Sequence, residues 1–93
     1  MKVQVHINES GLVVNEVFTG TNADDIVGAM KARVAKEVNF ALRIVINGMS
    51  NLSFAQEVVK RYNENKRKNL PLPTNCAEFL SSAQAEGFAK ILD

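Results

Sequence analysis

The chain has 93 residues with 46% hydrophobic and 23% charged content, enough for one α+β domain spanning residues 1–93 and too ordinary for disorder or a membrane class. A formal net charge of +1 removes global attraction to nucleic acid or anionic lipid as an argument, so only a local patch could supply it. Cys76 is the sole cysteine, which excludes an intrachain disulfide and a multi-cysteine metal site and fits a reducing, cytoplasmic setting.

Val3, Val5 and Ile7 alternate with Lys2, Gln4 and His6, the period-2 pattern of a strand with one buried face. The same alternation argues against a secretory h-region at this end. Asn8-Glu9-Ser10-Gly11 reads as a tight hairpin loop with Gly11 at positive φ, and Leu12 to Phe18 returns as a second strand. Thr21 with Asp24 spells a capping box for a helix carrying Ile26, Val27, Met30, Val34 and Val38 on one stripe and running to about Asn39.

Leu42 to Ile46 is short and β-branched, so it reads as a buried third strand ending at Asn47-Gly48. A hairpin followed by helix and strand resembles the β-grasp arrangement in outline, without a family motif. The second helix starts at Ser50, with Met49 stapled onto Phe54, or at Ser53, with Gln56 completing a capping box. Its apolar face is Phe54, Val58 and Tyr62, supported by Ala55 and Val59. After the extended Leu70-Pro71-Leu72-Pro73 segment, Thr74 or Asn75 caps a third helix that buries Ala77, Phe79, Leu80 and Ala83. Gly87 then closes that helix and Phe88 to Leu92 forms a fourth strand, because glycine inside a helix costs about 1 kcal/mol. The expected fold is a two-layer ββαβααβ chain: a mixed four-stranded sheet with helices on one face. The alternative has three strands and a longer C-terminal helix.

Four groups of side chains invite a functional reading. Lys60, Arg61, Lys66, Arg67 and Lys68 set five cations against Glu64 within nine residues, with Tyr62 among them, which is the composition of a phosphate-holding patch with a stacking aromatic. Cations at a helix end also complement its unpaired carbonyls, and Tyr62 is in register with the core. Gly48, Ser50, Asn51 and Ser53 lie in a loop entering a helix, where free N–H groups and hydroxyls could hold an anion, and no acidic residue precedes Glu57 there. Cys76 near a helix N-terminus could have a lowered pKa, although the only base, His6, is on the first strand. His6 itself faces away from the helices, and Glu16 is placed across from it.

No paired carboxylates, nucleophile elbow or histidine cluster is present, so the sequence points away from an enzyme and names no cofactor or metal. Val13 and Val17 face away from Val14 and Phe18, which leaves apolar side chains on an open sheet face. The expectation is a non-enzymatic interaction module acting through self-association or a protein partner, with no membrane role. A small nucleic-acid-binding domain using the basic helix end is the alternative.

Overall fold

The computed structural model describes residues 1–9 and 12–92. Its order is β1 (Lys2–Glu9), β2 (Leu12–Thr19), α1 (Ala23–Glu37), α2 (Phe40–Asn47), α3 (Asn51–Lys66), α4 (Cys76–Glu86) and β3 (Ala89–Ile91). The three strands form one antiparallel sheet in the order β2-β1-β3. Register pairs Val3 with Phe18, Val5 with Glu16 and Ile7 with Val14, so the alternation read from the sequence puts Val3, Val5, Ile7, Val14 and Phe18 on the buried face. The expected loop conformation at Ser10 and Gly11 lies outside the described residues.

The helices cover that one face. Ile26, Val27, Met30 and Val34 of α1 are buried against it, together with Phe54, Ala55 and Val59 of α3 and Phe79, Leu80 and Ala83 of α4. Ala77, expected in the core, is exposed: it follows Cys76 around α4 onto the solvent side.

The sheet corrects the sequence reading in two ways. Among the described residues it has three strands and no parallel pair, so the mixed four-stranded sheet is not formed; the strand number matches the alternative, but the third strand is Ala89–Ile91 and α4 stops at Glu86. Gly87 adopts φ 88° as the residue that closes α4, a conformation that carries no Cβ penalty for glycine, and its N–H returns to Ala83 and Gln84. Leu42 to Ile46 is not a strand but the body of α2, which also removes the β-grasp outline. Asn39 is the overlooked signal: its side chain accepts from the Leu42 N–H and starts a helix. The second edge of β1 is occupied by β3, so these residues do not pair with the central strand, and tertiary context overrides their β-propensity.

The α1 cap is shifted by one residue from the expected box. Asn22 accepts from the Asp25 N–H, and the Asp25 carboxylate accepts in turn from the backbone and hydroxyl of Thr21, which holds it below its usual pKa. The other end of α1 is satisfied from α2: the Arg43 Nε donates to the Ala35 carbonyl at 2.9 Å. Ser50 and Asn75 cap α3 and α4.

The proline segment is a rigid connector. Asn63 on α3 clasps it from both sides, its Nδ2 donating to the Leu70 carbonyl at 3.0 Å and its Oδ1 accepting from the Leu70 N–H at 3.1 Å, while Gln56 donates to the Pro73 carbonyl. These bonds hold Leu70 against the core. Asn63→Ala strands both partly buried backbone groups of Leu70 and is expected to lower stability by about 1–3 kcal/mol. A urea midpoint equal to that of the wild type would refute the clasp.

Candidate functional site

The helical layer does not close over the whole sheet. Between α2 and α3 it leaves a cleft of about 390 Å³. Its floor is Ile7 of β1 with Val34 and Val38 of α1. One wall is Leu42, Val45 and Ile46 of α2, and the other is Phe54, Val58 and Tyr62 of α3, with Phe88 at the end. The wall residues of α2 stand at i, i+3 and i+4, the spacing of one helical face.

His6 and Met49 complete the lining, and a row of polar side chains on α3 borders it. Glu57, Arg61 and Asn65 follow one another at four-residue intervals along α3, and the Arg61 Nε lies 3.5 Å from the Glu57 carboxylate. The Tyr62 ring packs on Phe88 with centroids 5.0 Å apart, and its hydroxyl donates to Glu86 at 3.0 Å. Tyr62 is thus held by its ring on Phe88 and by its hydroxyl on Glu86 while it lines the cleft.

The helix that walls the cleft is also the most exposed apolar element. Of its residues only Ile46 is buried, whereas Phe40 is 73% exposed, Ile44 58% and Val45 55%. A helix that is apolar around its circumference is ordinarily surrounded by other apolar groups. The one charged side chain of α2, Arg43, is turned back onto the Ala35 and Val38 carbonyls. Sequence reasoning missed this helix because the same residues suit a buried strand.

The expected site residues are scattered. Val13 and Val17 lie on the open sheet face, 59% and 49% exposed, beside Gln4 and Asn8 of β1. His6 shares that face and stands across from Asn15. Glu16, expected opposite His6, points to the helical side instead, where Arg33 Nε donates to it at 2.7 Å. The period of 2 dictates this: Glu16 shares the parity of Val14 and Phe18.

The loop Gly48, Ser50, Asn51 and Ser53 joins two helices, not a strand and a helix. Gly48 closes α2 with its N–H on the Ile44 and Val45 carbonyls, and the Ser50 hydroxyl accepts from the Ser53 N–H. The Asn51 Nδ2 donates to the backbone carbonyl and carboxylate of Asp24, at 3.1 and 3.2 Å. An acidic group therefore faces this loop after all, brought from α1 by the fold.

The basic stretch divides in the same way. Lys60 and Arg61 are on α3, Lys66 ends it, and Arg67 is its left-handed cap at φ 54°. Lys68 is paired with Glu86, whose pKa is held below the usual carboxylate value by hydrogen bonds from Lys68 and Tyr62. Arg61 and Lys68 thus have carboxylate partners.

Cys76 is the first residue of α4, yet its thiol is not activated. Burial and a hydrogen bond from Sγ to the Asp24 carboxylate at 3.4 Å push its pKa up to about 11. Desolvation disfavours the thiolate and the neighbouring negative charge repels it, and together they outweigh the helix terminus. Because the folded pKa is raised, this contribution to stability is present below the ordinary thiol pKa and is lost as pH rises through about 11. Iodoacetamide at pH 8 is expected to label Cys76 at least tenfold more slowly in the folded chain than in urea. Equal rates would show an accessible thiolate.

No protein-family model, curated protein or solved structure matches the chain. Its fold and site define a class in geometric terms: an α+β chain of four helices on one face of a three-stranded antiparallel sheet, with an apolar cleft walled by an exposed apolar helix.

Proposed function

We propose that this chain is a non-enzymatic interaction module that self-associates through the outer face of α2. The observation that carries the proposal is the exposure of Phe40 and Ile44 on a helix with little polar surface. Large exposed apolar patches mark interaction sites, and two-fold pairing is the commonest way for one surface to find a complement. A second copy fits this surface for a specific reason. Arg43 is folded onto α1, so α2 can pack against its symmetry mate without opposing two cations. Size-exclusion chromatography with light scattering tests the proposal, with a dimer expected at tens of micromolar. A monomer at several hundred micromolar would reject it.

The open sheet face supports a second surface for the same activity, since Val13 and Val17 are exposed on edge strand β2. The nucleic-acid reading is weaker, because Arg61 and Lys68 have carboxylate partners and Tyr62 is packed on Phe88. It retains a simple check: Lys66, Arg67 and Lys68 changed together to Gln should abolish any salt-sensitive oligonucleotide binding.

A further inference from the structure

The cleft has the attributes of a small-molecule site that are independent of the outer face of α2. It is concave, lies between secondary-structure elements and is lined mainly by apolar side chains, with His6 beside the floor and Glu57, Arg61 and Asn65 along α3. An apolar cavity of about 150 Å³ accepts one benzene, so the 390 Å³ here suits a body of about 15 non-hydrogen atoms. Val34, Val38, Val45, Ile46 and Val58 bring no hydrogen-bonding side chain, and the Tyr62 hydroxyl is engaged by Glu86. A guest must therefore be apolar along its length.

The rim sets the other end. Arg61 contributes several N–H groups, of which Nε meets Glu57 at 3.5 Å, a long and half-exposed pairing that an entering carboxylate can share. Glu57 beside it disfavours a multiply charged group such as a phosphate monoester. We propose that the cleft binds one small monocarboxylate with an unbranched or flat apolar body, the body lying between Val45 and Val58 and the carboxylate at Arg61.

Dodecanoate, which is of the required size, is the probe, added below its micellar range to the methyl-labelled full chain. Saturable shifts are expected at the methyl groups of Val34, Val38, Val45, Ile46 and Val58. Val58→Trp fills the interior and should abolish them. Should that variant fail to fold, Val45→Trp blocks the cleft from its exposed wall and should do the same. Arg61→Gln should weaken binding at least tenfold, and dodecyltrimethylammonium, which has the same chain and the opposite charge, should bind at least tenfold more weakly than dodecanoate. Phe40→Lys with Ile44→Lys leaves every wall intact, so its binding should equal that of the wild type even if self-association is lost. Absence of methyl shifts, shifts that survive in a folded Val45→Trp chain, equal binding by Arg61→Gln or by the cationic probe, or loss of binding in the Phe40, Ile44 variant would each overturn the proposal. The last of these would assign the probe to the outer face of α2.

Discussion

Phe79→Ala is expected to destabilise the chain by about 3–5 kcal/mol, the cost of removing a buried aromatic ring and leaving a cavity behind. Phe79 is fully buried at the centre of the core, and its ring meets Phe88 with centroids 6.3 Å apart. It therefore joins α4 to the segment that leads into β3, and β3 supplies the second neighbour of β1. A chain of this length has a total stability of about 5–14 kcal/mol, so the loss is a large fraction of the whole. The melting temperature should fall by more than about 10 °C. The chain lacks tryptophan, so urea denaturation is best followed by far-ultraviolet circular dichroism. Ala77→Ser, two residues away on the exposed side of α4, should leave the midpoint within the ordinary range of surface substitutions, about 0.5 kcal/mol. A Phe79→Ala variant as stable as Ala77→Ser would mean that α4 does not pack on the sheet as described.

Phe40→Lys combined with Ile44→Lys is expected to convert a dimer into a monomer without loss of fold. Truncating a large apolar side chain at the centre of an interface costs about 2 kcal/mol or more, and each change is present on both copies, so the pair should raise the dissociation constant by at least about a thousandfold. Two lysines on each copy add like-charge repulsion across the two-fold axis. Within the monomer the exchange should cost no more than about 1 kcal/mol: both positions are exposed and lysine is a good helix former, while a cation at position 40 opposes the positive end of α2. Sedimentation equilibrium of the variant beside Val13→Lys with Val17→Lys separates the two apolar surfaces. Dissociation by the α2 pair alone supports the proposed interface. Dissociation by the hairpin pair alone transfers it to the open sheet face.

The comparison of these two surfaces shows how far local pattern carries a functional reading. Val13 and Val17 were legible because strand parity is strict: once Val14 and Phe18 are placed in the core, their neighbours must face away. Phe40 and Ile44 were not legible, because the short run Leu42 to Ile46 has no periodicity long enough to separate a strand from a short helix. The missed evidence was a single capping residue, Asn39. The cleft was invisible for another reason. Its lining comes from residues between His6 and Phe88, and no local pattern states which of them meet.

The sequence by itself determined the elements whose periodicity or capping was strong: the two paired strands β1 and β2, the buried face of α1, and the stop at Gly87 ahead of β3, while it narrowed the caps to Ser50 or Ser53 for α3 and to Thr74 or Asn75 for α4. These follow from local backbone chemistry, which depends on neighbours a few residues away. Tertiary structure alone decided that the edge of β1 goes to β3, that Phe40–Asn47 is then helical and left exposed, and that Asp24 reaches both Asn51 and Cys76. Those outcomes depend on which strand and which side chains arrive at the same place, quantities set by long-range packing and by no stretch of the chain alone.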